Sequence, residues 1–139
     1  EGESQDAMDV ALFILDKENM NLAFAGANTP LLIFRDNKMI ELKADKMPIG
    51  IHTLHDRSFK SQRIELKKGD MLYAFSDGYP DQFGGPADKK FLIRNFKKLL
   101  LSIHKKPVSE QKSVLERTLD QWMANTSQID DILVMGVRI

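Results

Sequence analysis

Hydrophobic positions along this chain fall into short runs over the first half and into three- and four-residue steps over the second. Residues 10–15, Val-Ala-Leu-Phe-Ile-Leu, are continuously apolar with branched and aromatic members, which predicts a strand buried on both faces. A polar turn, Asp16-Lys17-Glu18-Asn19, leads to residues 20–25, whose alternation fits the returning strand of a hairpin. Residues 31–34 and 39–42 flank the turn Arg35-Asp36-Asn37-Lys38 and predict a second hairpin. After a polar loop with Pro48 and Gly50, residues 61–66 and 71–75 form a third pair around Lys67-Lys68-Gly69-Asp70.

Helical spacing begins after Gly84-Gly85-Pro86. Phe91, Leu92, Phe96, Leu99, Leu100 and Ile103 recur on one helical face with lysines between them, and Asp88 is the expected amino-terminal cap. Pro107 breaks the pattern, and Ser109 is the expected cap of a second helix carrying Val114, Leu115, Leu119, Trp122 and Met123. Residues 132–137 end the chain as an apolar strand. Strands, two helices and a final strand predict an α+β fold, with a helical pair packed on an antiparallel sheet.

Composition narrows the chemistry. A length of 139 residues suits one domain. Twenty basic and twenty acidic residues leave no global field to attract nucleic acid or anionic lipid. No apolar run is long enough for a bilayer, so direct membrane insertion is not expected. With no cysteine there is no disulfide, thiolate metal site or cysteine nucleophile, which fits a reducing compartment. The chain opens on Glu1-Gly2-Glu3-Ser4-Gln5-Asp6, which reads as a loop interior and predicts a piece of a larger protein.

The densest chemical signal is Met71-Leu72-Tyr73-Ala74-Phe75-Ser76-Asp77-Gly78, an apolar strand ending in Ser-Asp-Gly, with Asp81 four residues beyond Asp77. Asp130-Asp131 immediately precedes the final strand. If these two strands are antiparallel neighbours, the acidic points converge at one end of the sheet. Hard carboxylate ligands of this kind favour magnesium, manganese or calcium over zinc. Gly26-Ala27-Asn28 and Met47-Pro48-Ile49-Gly50 are possible site loops. Each signal also has a plain reading: Asp-Gly after a strand is an ordinary turn, since Gly accepts positive φ, and paired aspartates before a strand form a solvated loop. His52, His55 and His104 sit in polar contexts without metal spacing and read as surface residues. Lys97, Lys98, Lys105 and Lys106 read as a solvated face or a docking patch for an acidic partner.

The order of motifs is more specific than any one of them. Phe24 to Leu31 (Phe-Ala-Gly-Ala-Asn-Thr-Pro-Leu), Met47-Pro48-Ile49-Gly50-Ile51, Lys68-Gly69-Asp70-Met71-Leu72-Tyr73, Ser76-Asp77-Gly78, Asp81-Gln82-Phe83-Gly84-Gly85 and Gln128-Ile129-Asp130-Asp131 occur in sequence. Together they resemble the serine phosphatase domain of the stage II sporulation protein E (SpoIIE) family, a bacterial branch of the metal-dependent protein phosphatase 2C (PPM) superfamily. The resemblance implies a sandwich of two antiparallel sheets flanked by helices. It implies that Asp77 and Asp130 are metal ligands and makes Asp131 a further candidate. Two manganese or magnesium ions are implied for a complete domain. The implied reaction is hydrolysis of phosphoserine or phosphothreonine by a metal-bridging hydroxide, without a phosphoenzyme.

The same comparison shows two departures. Many relatives carry Gly-His-Asn-Pro where this chain has Gly26-Ala27-Asn28-Thr29-Pro30, so no histidine role transfers there. The family's early acidic strand residue and its Asp-x-x-Gly-His-Gly loop have no counterpart before Val10, where Asp6 and Asp9 sit in a different context. Residues 1–139 therefore read as the carboxy-terminal portion of a single phosphatase domain, inactive alone and prone to self-association, a possible homodimer. The implied partners are a phosphorylated regulator such as an anti-sigma-factor antagonist and an upstream sensor or tetratricopeptide region. The implied setting is the cytoplasm, or the cytoplasmic part of a membrane-anchored sensor. The competing reading is a non-catalytic module that binds a phosphoprotein or transmits a signal.

Overall fold

A computed structural model describes residues 7–50 and 57–139. In chain order the elements are β1 (Ala7–Met8), β2 (Val10–Asp16), β3 (Asn21–Ala27), β4 (Leu31–Arg35), β5 (Lys38–Leu42), β6 (Ile49–Gly50), β7 (Gln62–Glu65) and β8 (Met71–Phe75). They continue with α1 (Gly78–Asp81), β9 (Phe83–Gly84), β10 (Lys89–Lys90), α2 (Ile93–Ile103), α3 (Val108–Met123) and β11 (Val134–Arg138). Two main sheets result, one ordered β2-β3-β7 and the other β11-β8-β4-β5, with every strand pair in them antiparallel. The expected α+β class, with antiparallel sheets flanked by helices, is the observed one.

Strand periodicity sorts the side chains into layers. Leu31, Ile33 and Leu72 project from the four-stranded sheet onto Leu22, Phe24 and Leu66, and this forms the core between the sheets. Their chain neighbours Leu32, Phe34, Met71, Tyr73 and Phe75 project the other way, onto Phe96, Leu100, Ile103 and Leu115 of the helices. β4 and β8 are thus the strands buried on both faces. The Phe75 and Phe96 rings meet edge-on at 5.0 Å, joining the end of β8 to α2. The buried Tyr79 hydroxyl donates to the Leu115 carbonyl at 2.8 Å and ties α1 to α3.

Four expectations are corrected. Residues 61–66 and 71–75 do not form a hairpin: β7 joins β3 in one sheet, and β8 lies between β4 and β11 in the other. β2 is not buried on both faces: Ala11, Phe13 and Leu15 face the inter-sheet core, whereas Leu12 and Ile14 are 60% and 65% exposed. A continuous apolar run specifies a strand without specifying what covers it. Neither predicted helix cap operates. Residues 83–90 instead form the short β9–β10 hairpin, with Asp88 in its turn, and the residue before α2 is Leu92, which makes no side-chain cap. α3 begins one residue before Ser109, directly after Pro107. Pro107 sets the start because its φ is already fixed and it has no amide hydrogen to leave unpaired. His104 is buried rather than on the surface, with its ring 5.6 Å from that of Phe34. His52, His55 and Ile51 lie outside the described residues. No helix among the described residues is long and apolar enough to cross a membrane.

Candidate active site

β8 and β11 are antiparallel neighbours, with Phe75 opposite Val134. The turn leaving β8 and the loop entering β11 therefore meet at one end of the sheet, which meets the condition set for the two acidic points to converge. Ser76 joins them. Its hydroxyl donates to the Asp131 carbonyl at 2.8 Å and accepts from the Leu133 amide at 2.9 Å, while its own amide donates to the Leu133 carbonyl at 3.0 Å. Gly78 has an ordinary negative φ, so the turn does not need glycine for its backbone angles. A Cβ there would overlap the Asp131 carbonyl, and glycine is needed for that close approach.

The Asp81-Gln82-Phe83-Gly84-Gly85 segment buttresses the second arm. Gln82 is fully buried, and its Nε2 donates to the carbonyls of Ser127 (2.9 Å) and Phe83 (3.1 Å). Its Oε1 accepts from the Ile129 amide at 3.4 Å, so one side chain holds the three residues leading to Asp130. A Cβ on Gly84 would overlap the Trp122 carbonyl, and one on Gly85 would lie 2.7 Å from the Trp122 ring. These glycines let the segment lie flat against the end of α3. Two sequence segments 45 residues apart are thereby one structural unit.

Asp77 is exposed and forms no ion pair among the described residues. It lines a cleft of about 480 Å³ together with Asp9, Asn28, Glu41, Asp81 and Lys97. Lys97 is held by Glu41 at 2.8 Å, and Asp81 by Lys90 at 3.2 Å. The cleft wall is net acidic, which suits a cation. Asp130 and Asp131 are exposed on the adjacent loop and do not line the cleft. Asp130 accepts the Asp131 amide at 2.7 Å with one carboxylate oxygen, and Asp131 reaches the Ser76–Gly78 turn through its carbonyl rather than its side chain. Among the described residues no three His, Cys, Asp or Glu side chains form a metal cage. The carboxylates on these two interlocked segments are hard oxygen donors, of the kind that fits magnesium or manganese.

The other proposed site loops divide. Asn28, at φ 57°, lines the cleft and donates to the Asp9 carboxylate at 2.8 Å. Met47 is buried, Ile49–Gly50 pair with Ala7–Met8, and none of residues 47–50 lines the cleft. Sequence reasoning missed the roles of Ser76 and Gln82. Neither a serine at a strand end nor a glutamine between Asp81 and Phe83 marks such a role in the sequence, since the partners that tie each to the second arm lie 45 residues or more away.

The family model described as stage II sporulation protein E matches residues 4–139. The chain belongs to the SpoIIE family. Among solved structures it is similar to the SiaA-PP2C domain of Pseudomonas aeruginosa, at 30% identity and a TM-score of 0.88 over 96% of this chain and 52% of that one. It is also similar in fold to the PP2C phosphatase domain with a regulatory fragment of SpoIIE from Bacillus subtilis: 23% identity, TM-score 0.73, 94% of this chain and 37% of that one. RsbX in complex with magnesium shares the fold at 12% identity, TM-score 0.58, over 92% of this chain and 54% of that one. The chain thus spans about half or less of the length of these structures. No curated protein matches it.

Proposed function

We propose that this SpoIIE-family chain is part of a metal-dependent phosphatase domain that removes phosphate from serine or threonine on a bacterial regulatory protein, such as an anti-sigma-factor antagonist. The observation that carries the reading is the Ser76 junction, which locks the Asp77 turn against the loop bearing Asp130 and Asp131. In this reading Asp77 and Asp130 hold the metal, with Asp131 beside them, and the ions are manganese or magnesium, two in the complete domain. Such ions supply an activated water and charge stabilisation for phosphoryl transfer. Ser76 and Gln82 fix the distance between the two arms, and Gly78 keeps it short.

The test uses the full-length protein with manganese and a phosphoserine peptide. Asp77→Asn and Asp130→Asn are each expected to lower turnover about 100-fold or more while leaving the thermal midpoint of the metal-free protein in place. Unchanged turnover in Asp77→Asn would sink the assignment. Saturable peptide binding with no turnover in the parent would establish the non-catalytic module instead.

A further inference from the structure

The charges of the chain balance overall, 20 against 20, but are unevenly placed. Residues 89–106 hold seven basic side chains and no acidic one. α2 lies within this stretch and turns Phe96, Leu100 and Ile103 to the core. With about 3.6 residues per turn, its opposite face is the stripe Arg94, Lys98 and Leu101, continued by Lys105 in the turn that follows. Arg94, Lys98 and Lys105 are exposed and form no ion pair among the described residues, whereas Lys97 pairs with Glu41 and Lys106 with Glu110.

A second observation is independent of the basic residues. Leu101 stands inside the stripe and is 38% exposed, beside the fully buried Leu100. The Lys97–Glu41 pair joins α2 to β5 at 2.8 Å. β5 runs parallel to β8, since both are antiparallel to β4, and so leads towards the Asp77 end of the sheet. α2 runs the other way, from Ile93 beside the Asp77 cleft to His104 beside Asp70. One turn along α2 from Lys97 is Leu101. Two residues back along β5 from Glu41, in the same direction and on the same face of the strand, is Met39, also 38% exposed. The α2–β5 seam thus carries exposed apolar side chains within a basic frame, the anatomy of a recognition surface. β5 is an edge strand of its sheet among the described residues, and a strand edge is open to an extended segment.

The seam leads into the candidate active site, because Ile93, Lys97 and Glu41 also line the Asp77 cleft. The opposite edge of the same sheet, at β11, is entered through Asp130 and Asp131. Negative charge on a protein whose phosphoserine occupies the cleft is therefore repelled at the β11 side and attracted along α2. We propose that the α2–β5 seam is the docking surface for an acidic, extended segment of the protein substrate beside its phosphoserine; the identity of that substrate rests on the phosphatase reading above. The stripe from Arg94 to Lys105 spans roughly 16 Å, the reach of about five extended residues.

Fluorescence anisotropy with the metal-stripped full-length protein tests this. The probes are a labelled phosphoserine peptide with about five glutamates on each side and the same peptide with glutamines in their place. The acidic peptide is expected to bind about tenfold tighter, with a preference that shrinks as salt is raised. The Arg94→Gln, Lys98→Gln, Lys105→Gln triple substitution should abolish the preference. Leu101→Ser should weaken both peptides by about threefold and leave the salt dependence in place. All four side chains are exposed, so both variants retain the core. Equal binding of the two peptides by the parent, or a preference that survives the triple substitution, would overturn the inference. So would equal peptide binding beside capture of phosphatidylserine vesicles that the triple substitution removes, which would assign the stripe to an anionic membrane. The phosphatase reading fails separately: no turnover of either peptide with manganese, beside an intact preference, would remove the enzyme and keep the acidic partner.

Discussion

At the scale of single residues, the candidate site depends on small groups as much as on carboxylates. Gly78 has no room for a methyl group against the Asp131 carbonyl, and that carbonyl is fixed by Ser76. Gly78→Ala must therefore separate the two arms or strain the turn. We expect it to cost about 1–3 kcal/mol, the range for overpacking a close contact, read as a lowered urea midpoint. Manganese affinity of the full-length protein should fall with it. An unchanged midpoint and affinity would show that the arms are not locked. The order Ser76-Asp77-Gly78 and then Asp130-Asp131 was legible in the sequence, whereas the meeting of their strands stood there only as a condition. The reason for the glycine was not legible, because a close approach to a residue 53 positions away leaves no local trace, whereas a turn does. Gln82 was hidden for the same reason: its partners Ser127 and Ile129 are distant in sequence.

At the scale of elements, hydrophobic runs located the long strands and both long helices, but not what covers them or how they start. β4 and β2 look alike as apolar runs, yet β4 is buried on both sides and β2 on one. Coverage is set by the layer that arrives, which a strand's own residues do not encode. Helix starts failed because α2 leaves a hairpin and α3 leaves a proline, so neither depends on a capping side chain. The connection into β8 shows what does hold an element in place. Burial pushes the Asp70 carboxyl upward, but the hydrogen bonds from Arg35 and the Lys67 amide, with the charges of both residues, outweigh it and hold its pKa below the ordinary 3.8. A carboxylate depressed in the folded state contributes stability above its unfolded pKa and loses it as pH falls through the folded value. Asp70→Asn, which leaves Arg35 without its charge partner, is expected to cost about 2–4 kcal/mol at pH 7. That difference should hold down to about pH 5 and shrink progressively below 3.8, as the parent's own Asp70 takes up its proton. Urea melts at pH 7, 5 and 3 check this, and a gap that widens with acid would refute the linkage.

At the scale of the whole molecule, the three layers are unequally finished. The helical face of the four-stranded sheet is covered by α2 and α3, and the space between the sheets is filled. The outer face of β2 is different: Leu12 and Ile14 stand exposed, with Met8 60% exposed nearby. β11 lies at the sheet edge with Met135 and Leu133 about half exposed. An open strand edge and an apolar sheet face both promote association. The 139-residue chain expressed alone should therefore self-associate at high concentration. Leu12→Lys with Ile14→Lys should reduce that association while changing the urea midpoint by no more than about 0.5 kcal/mol, since both side chains point to solvent. Sedimentation at several concentrations decides it, and a monomer throughout would remove the argument. The same molecule should turn over no p-nitrophenyl phosphate with manganese, because no three of its described His, Asp or Glu side chains form a metal cage. Turnover that disappears in Asp77→Asn would show that these 139 residues suffice for metal-dependent hydrolysis and would overturn that expectation.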